Sequence, residues 1–457
     1  MSYDSCDERL FLIKNKIIVL NLFNLTLRLN GFPIAKAKIE LNKTLSLSEV
    51  EYALYVASKK KEILAYHLQN NPYYTTLINS KSIEKWEDIP VMKKIHFQRP
   101  LSERLSNGYS LKNVYINKTS GSSGDPMVFA KDKFCHALTW VNIMRRFQWY
   151  GLDFNHSWQA RFYGMPLDFV ANTKLRLKDF LSHRYRFNIF DFSDAAIQKM
   201  TDKFRQTKFD YINGYTNSIV LLAKYLHKKD LYLDTICPSL KVCIVTSEML
   251  FDEDKKLLEE RFRIPIINEY GSAELDIIAL ENPEGIWKIN SETLFVEILD
   301  EDDQVLPYGE EGRIVVTSLY NKAHPMIRYE VGDIGILHEK STLQNPILKK
   351  LIGRTNDIAI LPSGKKSPGM TFYSITKRLF DDDGNVKEFV ITQTKLDTFE
   401  IEYTSEKELT AEETRNIEQV LGQFLEPNLN YFFYRKDRIE RSKSGKLKQF
   451  KTLVSVS

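Results

Sequence analysis

Between residues 195 and 267, the hydrophobic positions switch repeatedly between two spacings. Apolar residues three and four positions apart predict amphipathic helices, and short uninterrupted apolar runs predict buried strands. The predicted helices cover Ala195–Gln206, Ser218–Lys228 and Asp252–Arg261, and the predicted strands cover Tyr211–Asn213, Val242–Thr246 and Ile264–Ile267. Helices that alternate with buried strands are typical of α/β layers, so a mainly parallel sheet covered by helices is expected here.

After this region the pattern changes to strands that follow one another directly. They cover Leu294–Leu299, Gly312–Thr317 and Ile334–His338, and turn sequences such as Leu306–Gly309 separate them. Consecutive strands joined by turns favour hairpins. A small antiparallel sheet is therefore expected beside the α/β layer.

The end of the chain predicts a compact unit of its own, which begins near Gly353–Asp357. Its predicted elements are a helix near Phe372–Phe380, strands at Val386–Thr394 and Thr398–Tyr403, a helix at Ala411–Phe424 and a strand at Tyr431–Tyr434. The expected fold class is thus α/β. A large N-terminal α/β domain, residues 1–353, includes the small antiparallel sheet section, and residues 354–457 form a small mobile C-terminal α+β domain.

Earlier in the chain, a Ser-x-x-Glu start at Ser46 and Glu49 predicts a surface helix that continues to His67. Further on, the alternating segment Lys112–Lys118 predicts a strand, and a helix is predicted from Phe134 to Tyr150. Between them lies a loop of glycine and hydroxyl residues. The order of strand, glycine loop and helix is the context in which a loop can bind phosphate.

The segment Phe11–Leu29 is apolar but contains polar residues throughout, among them Lys14, Lys16 and Arg28. A membrane-spanning helix needs about 20 predominantly apolar residues. An amphipathic helix packed on the protein body is expected, with attachment to a membrane surface as the alternative. No transmembrane segment is predicted.

Charge and cysteine content narrow the class of protein. The net charge of +4 tolerates an anionic ligand such as a nucleotide but does not indicate nucleic-acid binding. The four cysteines, Cys6, Cys135, Cys237 and Cys243, include no C-x-x-C pair. A cytoplasmic protein without a structural metal is therefore expected.

The loop from Thr119 to Pro126 carries the first candidate chemistry. It combines four hydroxyl residues with two glycines, so backbone N–H groups and hydroxyls can converge on phosphate oxygens: Thr119, Ser120, Gly121, Ser122, Ser123 and Gly124. The loop is not a Walker motif, because no Lys-Ser or Lys-Thr pair follows its last glycine. Alone, such a stretch is more often a flexible surface turn than a ligand site.

Four further motifs follow in order along the chain. Glu269–Glu274, with sequence Glu-Tyr-Gly-Ser-Ala-Glu, comes after a predicted strand, where ligands of α/β proteins usually bind. Tyr329–Asp333, Gly353–Asp357 and Lys443–Lys448 come next. The last of these lies in a basic segment, Arg435–Lys451, which alone would suit a solvated tail or a nucleic-acid contact.

Together, these five segments resemble the acyl-adenylate-forming superfamily. The sequence Met326–Asp333 looks most like the phenylacetate-CoA ligase branch, which includes relatives encoded with capsular polysaccharide enzymes. The resemblance spans about residues 115–448. It implies an ATP- and Mg²⁺-dependent ligase that converts a carboxylic acid into an acyl-AMP and then transfers the acyl group to a thiol, amine or hydroxyl.

The resemblance also implies roles for individual residues. Thr119 to Gly124 would hold the β- and γ-phosphates of ATP. Adenosine would be bound by Tyr270, with Gly271 and Ser272 beside it, and by Asp333 on the ribose. The remaining implied residues are Ser247 and Glu248 at the adenine pocket, Arg354 near the ribose, Glu274 on Mg²⁺, Asp357 at a hinge, and Lys446 between the substrate carboxylate and the α-phosphate. Without the motifs, Tyr270 could equally be a core tyrosine and Asp333 a turn carboxylate.

The two substrates other than ATP are less defined. Residues placed where the family builds its acyl pocket are Trp158, Phe162, Tyr163, Gly164, Asn213, Gly214 and Tyr215. Asp125 stands where many members of the superfamily have lysine, and it is expected to point away from the phosphates. Residues 358–368 differ from phenylacetate-CoA ligases, so coenzyme A and an amine or hydroxyl acceptor both stay open.

Three other classes of function remain as alternatives. One is a strict aryl- or acyl-CoA synthetase, and another is a nucleotide-binding regulatory protein that has lost turnover. The retention of Glu274, Asp333, Arg354 and Lys446 argues against lost turnover. A nucleic-acid binder is disfavoured, because the basic segment lacks interleaved aromatic residues.

Overall fold

The computed structural model describes residues 22–78, 83–119, 126–164, 169–354, 358–369, 385–442 and 446–454, together with residues 372, 373, 375, 376 and 380. Helices form the beginning of this range. They are α1 (Leu22–Leu29), α2 (Ile34–Leu45), α3 (Glu49–Asn70), α4 (Pro72–Ile78) and α5 (Leu101–Arg104), with short 3₁₀ turns at Trp86–Asp88 and Lys94–Phe97.

Helix α3 begins two residues later than predicted. Ser48, rather than Ser46, caps it: the Ser48 hydroxyl accepts a hydrogen bond from the Glu51 backbone N–H, and the Glu51 carboxylate accepts one from the Ser48 N–H. Ser46 instead ends α2. The sequence offered two overlapping Ser-x-x-Glu starts, and the second is the capping box that forms.

A two-stranded hairpin and a long helix follow. They are β1 (Tyr115–Lys118), β2 (Val128–Lys131) and α6 (Lys133–Gln148), and the two strands are antiparallel. Strand β1 is shorter than predicted, and β2 was not predicted. The loop at 119–126 therefore connects two strands, rather than a strand and a helix.

The centre of the molecule is a seven-stranded sheet with the order β4-β3-β5-β6-β7-β8-β9. Its strands are β3 (Gln159–Phe162), β4 (Arg184–Arg186), β5 (Tyr211–Tyr215), β6 (Val242–Thr246), β7 (Ile266–Ser272), β8 (Asp276–Glu281) and β9 (Trp287–Ile289). The first five in spatial order are parallel, and β8 and β9 are antiparallel additions. The predicted, mainly parallel sheet is confirmed.

Helices cover both faces of this sheet. In chain order, those after α6 are α7 (Phe169–Leu181), α8 (Asp194–Gln206), α9 (Thr216–Lys228), α10 (Leu233–Ile236) and α11 (Asp252–Phe262). One core, with Phe204, Leu222 and Phe262, lies between the sheet and α8, α9 and α11. Every residue of β6 is buried, as expected for a parallel strand with both faces covered.

The opposite face packs against α1, α2 and α6 through a second core. Helix α1 contributes Phe23 and Leu27 to it, and the Phe23 ring packs against Trp140 and Phe154. The predicted amphipathic helix is thus packed on the body over residues 22–29, while residues 11–21 lie outside the described range. In the described part of the chain, no helix is long and apolar enough to span a membrane.

An antiparallel sheet follows the central sheet, with order β10-β11-β12-β13. Its strands are β10 (Leu294–Leu299), β11 (Glu311–Ser318), β12 (Tyr329–Leu337) and β13 (Leu348–Arg354). The predicted antiparallel sheet is confirmed. Strand β12 begins earlier than expected and contains the whole motif Tyr329–Asp333.

The last part of the chain has its own sheet and core. A short pair, β14 (Ile358–Ile360) and β15 (Lys366–Pro368), precedes a sheet with the order β18-β17-β16-β19. Its elements are β16 (Val386–Lys395), β17 (Thr398–Ser405), α12 (Ala411–Phe424), β18 (Asn430–Arg435) and β19 (Phe450–Thr452). Phe399, Ile401 and Leu421 lie in this separate core. The helix predicted near Phe372–Phe380 falls largely on residues outside the described range. We call residues 358–454 the small unit below.

Candidate active site

A cleft of about 970 Å³ lies between the two main sheets and the small unit. The ends of β6, β7 and β13 line it on one side, and Asp333 of β12 lies among them. Residues 442 and 446–450 of the small unit line the other side. Segments that are far apart in the sequence therefore meet at one cavity.

Two of the predicted motifs are joined by a reciprocal pair of hydrogen bonds. The Tyr270 hydroxyl donates to Asp333 Oδ2 at 2.8 Å, and the Tyr329 hydroxyl donates to Glu274 Oε1 at 2.9 Å. All four side chains are buried. Each motif thus supplies a tyrosine to the carboxylate of the other, which fixes Asp333 and Glu274 in position without any ligand. No role for Tyr329 follows from the sequence alone.

The turn that carries Glu274 needs a glycine. A Cβ atom at Gly271 would lie 2.1 Å from the Asp276 carbonyl oxygen, so a larger residue would push β7 and β8 apart. An ion pair between the buried Lys131 and the half-buried Asp276 ties the same turn to β2. Ser272 Oγ accepts a hydrogen bond from the Leu275 N–H at 3.3 Å, within the turn.

Thr119 closes the base of the predicted phosphate loop. Its N–H donates to the Met127 carbonyl, and its hydroxyl accepts from the Met127 N–H, each at 2.9 Å. The other loop residues of the prediction, Ser120, Gly121, Ser122, Ser123 and Gly124, lie outside the described range, as does Asp125. The Lys131–Asp276 pair brings the strand after this loop next to the Glu274 turn.

Residues of the predicted acyl pocket lie at the carboxyl ends of β3 and β5. Asn213 Oδ1 accepts hydrogen bonds from the Tyr163 hydroxyl at 2.9 Å and from Gln159 Nε2 at 3.1 Å. The rings of Tyr163 and Tyr215 meet edge to face, with centroids 4.9 Å apart. Gly164 accepts a hydrogen bond from Arg186 through its carbonyl.

The four aromatic residues considered for this pocket all contact the core between the sheet and its helices. Phe162 is fully buried and stacks on Phe187, and Trp158 packs against the same core. Tyr215 is a buried member of this core, and Tyr163 packs against it. Gly214 is required for packing, because a Cβ there would lie 2.3 Å from the Phe162 carbonyl oxygen.

Lys446 reaches this pocket from the small unit. Its Nζ lies 5.5 Å from the centroid of the Tyr215 ring. Ser442 shapes the turn: its N–H donates to the Lys446 carbonyl and its Oγ accepts from the Lys446 N–H, both at 3.0 Å. Lys448 also lines the cleft.

Ser247 and Glu248 follow β6 and line the cleft as well. Ser247 has a left-handed backbone, with φ of 71°. The Glu248 carboxylate accepts hydrogen bonds from the backbone N–H groups of Asn217 and Leu447, each at 2.9 Å. Partial burial raises the pKa of Glu248.

Of two further predicted residues, the structure describes the backbone of one and does not describe the other. The backbone of Arg354, at the end of β13, pairs with Asp333 of β12. Asp357, the predicted hinge, lies outside the described range.

Glu269 is a cleft residue to which the sequence analysis gave no function. It precedes Tyr270 on β7, and desolvation by the surrounding protein raises its pKa to about 7. Its place in the quoted motif was the only signal available, because the raised pKa depends on neighbours from other strands.

Glu274 fits the requirements of a magnesium ligand. It is 5% exposed, forms no ion pair with any described residue, and has one oxygen held by Tyr329. A buried carboxylate without a cationic partner is costly, and a bound cation would offset that cost. Mg²⁺ commonly takes its other ligands from substrate phosphates and water, so a single protein carboxylate can contribute to its binding.

Comparison with known proteins gives distant relatives, and no family model matches the chain. The chain is 23% identical to Protein CapK of Staphylococcus aureus over 323 residues, which is 65% of this chain and 66% of CapK. It is 25% identical to a phenylacetate-coenzyme A ligase of Pseudomonas putida over 188 residues, which is 39% of this chain and 42% of the ligase.

Among solved structures, 2-hydroxyisobutyryl-CoA ligase in its postadenylation state, in complex with an acyl-AMP, has a TM-score of 0.68 at 15% identity. The match covers 90% of this chain and 91% of that ligase. The same ligase in its thioesterification state has a TM-score of 0.56, at similar coverage. By sequence the chain is similar to CapK and to phenylacetate-coenzyme A ligases, and its fold is similar to that of 2-hydroxyisobutyryl-CoA ligase.

Proposed function

We propose that this protein is an AMP-forming carboxylate ligase, which activates a carboxylic acid with ATP and transfers the acyl group to an acceptor. The observation that carries the proposal is the position of Lys446. Its ammonium lies beside Tyr215 at one end of a cleft that also contains Tyr270 and Asp333. The Lys446 ammonium of the small unit thus lines the same cleft as the proposed adenosine site in the large part of the protein.

The adenosine of ATP would bind at Tyr270 and Asp333. Asp333 accepts a hydrogen bond from Tyr270, and an ionised carboxylate offers about four lone-pair sites. A carboxylate at this position suits the two ribose hydroxyls, while the Tyr270 ring supplies an aromatic surface for adenine. Ser247, Gly271, Ser272 and Arg354 would border this nucleotide.

The triphosphate would extend from there towards the loop at Thr119–Gly124. Glu274 is the residue that would hold Mg²⁺, which supplies positive charge to the phosphates when bound. The Lys131–Asp276 pair and the Tyr329 hydroxyl hold Glu274 in a fixed position relative to the base of the loop.

The acid would bind with its carboxylate between Tyr215 and Lys446, and with its acyl part near Tyr163, Asn213 and Gly214. A carboxylate oxygen attacks the α-phosphorus, a new P–O bond forms, and the bond to pyrophosphate breaks. The nucleophile is already ionised, so no general base is needed. Catalysis then rests on positioning and on charge neutralisation by Lys446.

The second step would require the small unit to move. The domain boundary at 353/354 and a hinge at Asp357 are part of this proposal. The higher TM-score against the postadenylation state than against the thioesterification state supports the view that the arrangement described here is the adenylating one. Rotation of the small unit would remove Lys446 and open the cleft to the acceptor.

For the acceptor, the thiol of coenzyme A is the first candidate. The 2-hydroxyisobutyryl-CoA ligase is described in complex with CoA, and two relatives are phenylacetate-coenzyme A ligases. A strict aryl- or acyl-CoA synthetase is therefore the second form of the proposal. An amine acceptor has a weaker parallel in the amide bond synthetase McbA, with a TM-score of 0.51.

The proposal is tested by measuring pyrophosphate release with ATP, Mg²⁺ and a panel of acids. The expected nucleotide product is AMP, in equal amount to pyrophosphate, and omission of the acid is the control. Mass analysis of reactions containing coenzyme A or an amino sugar then identifies the acceptor. Stoichiometric ADP and phosphate with the preferred acid would refute the proposal.

A further inference from the structure

Glu248 joins the two parts of the protein through its side chain. Its Oε2 accepts a hydrogen bond from the Asn217 N–H of α9, and its Oε1 accepts one from the Leu447 N–H of the small unit. Each donor lies 2.9 Å away. The adenylation chemistry described above makes no use of this carboxylate, so its placement calls for a separate explanation.

On the large side, Glu248 is fixed independently of the small unit. Asn217 lies in the first turn of α9, where backbone N–H groups have no partner within the helix and a negative charge is stabilised by the helix dipole. The Thr216 hydroxyl also donates to the Glu248 carbonyl at 3.0 Å. One carboxylate oxygen therefore stays in place while the other is available to a partner.

On the small side, the donor is equally well anchored. The Leu447 side chain is buried against Val390 and Ile439, within the small unit. A bond to the Leu447 backbone therefore restrains the unit as a body. Lys446 is the preceding residue, and successive Cα atoms are about 3.8 Å apart, so Lys446 cannot leave the cleft while this bond persists.

We propose that Glu248 is a positioning residue that holds the small unit, and with it Lys446, in the adenylating arrangement, and releases it for the transfer step. This inference rests on the proposed function. The bond from Leu447 to a carboxylate is charge-assisted, which makes it one of the stronger single contacts available between the two parts.

Other described contacts cross the same boundary. The Phe251 ring stacks on Tyr373 with centroids 5.6 Å apart, and the Arg441 guanidinium lies 5.4 Å from the centroid of the Phe192 ring. Lys228 and Glu406 form an ion pair at 2.8 Å, but both side chains are exposed, and exposed pairs contribute little. Gln449 Nε2 lies 3.5 Å from Asn217 Oδ1, at the limit of a hydrogen bond. Lys228 therefore provides a matched control, because it also bridges the boundary but touches no part of the cleft.

The test compares Glu248→Gln with Lys228→Ala in the full chain. Glutamine keeps the shape of the side chain but has one acceptor oxygen, so it cannot accept from both N–H groups. Three quantities are measured: hydrogen–deuterium exchange at the Leu447 amide without substrates, pyrophosphate release with ATP and acid, and acyl transfer from preformed acyl-AMP.

In Glu248→Gln, we expect faster exchange at Leu447, pyrophosphate release reduced by about ten- to hundredfold, and acyl transfer retained. Lys228→Ala should match the wild type in all three. Unchanged exchange and pyrophosphate release would overturn the inference. An equal fall in both half-reactions would also overturn it, because that result indicates general support of the fold.

Failure of the proposed function would look different. In that case the wild type releases no pyrophosphate with any acid, while the exchange measurement still decides whether Glu248 protects Leu447. Slow exchange at Leu447 in the wild type and faster exchange in Glu248→Gln would still support the conclusion that Glu248 holds the small unit in position. Equal exchange in the two proteins would refute it.

Discussion

Replacement of Lys446 by alanine tests the proposed chemistry most directly. The contacts that shape its turn involve the backbone of Lys446 and the side chain of Ser442, and Glu248 contacts the backbone of Leu447. Lys446→Ala therefore removes the ammonium and leaves the turn in place. The variant should be folded, with the small unit docked as in the wild type.

The size of the effect follows from where the ammonium lies. At 5.5 Å from the Tyr215 ring it is close enough to reach a carboxylate bound at that ring. Loss of one preorganised charge at the reacting atoms costs on the order of 3 to 4 kcal/mol of transition-state stabilisation, or about two to three decades in rate. ATP affinity should change little, because Tyr270 and Asp333 lie in the large part of the protein.

The assay separates the two half-reactions. Pyrophosphate release from ATP and acid should fall by the stated amount in Lys446→Ala, while acyl transfer from preformed acyl-AMP should persist. Lys448→Ala is the matched control, since Lys448 lines the same cleft two residues later. Lys443→Ala extends the comparison to a residue outside the described range. Equal effects from all three variants, or loss of both half-reactions in Lys446→Ala, would refute the role assigned to Lys446.

Three further predictions address the cleft and the sheet beneath it. Asp333→Ala should weaken ATP binding at least about tenfold by calorimetry, because it removes a charged acceptor and the acceptor of the Tyr270 hydroxyl. Unchanged affinity would contradict the ribose assignment. Gly214→Ala should lower the thermal unfolding temperature, because its Cβ would lie 2.3 Å from the Phe162 carbonyl oxygen, and an unchanged temperature would show that the strands can separate cheaply. The pKa of Glu269 is raised to about 7, so the folded protein holds this proton more tightly than the unfolded chain does. The free energy of unfolding should therefore fall by up to about 3 kcal/mol as the pH rises from about 4.5 to 7. Denaturant titrations of Glu269→Gln should lose this pH dependence.

Much of the fold could be predicted from the sequence because its signals are local. The all-buried strand β6 and the amphipathic helices α8 and α9 carry hydrophobic patterns that neighbouring residues alone define. Strand β2 could not be predicted in the same way. It has four residues, and it forms because it pairs with β1 across a loop, which is a contact that no local pattern encodes.

The continuation of β7 through Gly271 shows a second limit. A glycine after a short apolar run normally indicates a turn. Here the strand continues, with an irregularity in its pairing at Tyr270 and Gly271, because β8 comes so close that only glycine fits. The sequence thus identified the motif but could not show that it lies inside a strand.

The candidate site was predictable as a set of motifs but not as a network. The motif order indicated that Tyr270, Glu274 and Asp333 act together. That Tyr329 donates to Glu274 depends on how the antiparallel sheet packs against the central one, which no residue pattern within either motif specifies. The same holds for Glu248, whose partners Asn217 and Leu447 lie 31 and 199 residues away in the chain.

These contacts divide the site into two parts with different energetics. Tyr270–Asp333 and Tyr329–Glu274 are complete within the large part of the protein, so these four side chains of the proposed nucleotide site are held in place before any ligand binds. In the proposed mechanism, Lys446 belongs to a separate unit and adds its charge only in one arrangement of that unit. Lys446 could then neutralise the negative charge of the phosphates during adenylation. Because the unit moves away afterwards, it would not hold AMP tightly during acyl transfer. Substitutions at Asp333 should therefore act mainly on ATP binding, whereas substitutions at Lys446 and Glu248 should act mainly on the rate of adenylation.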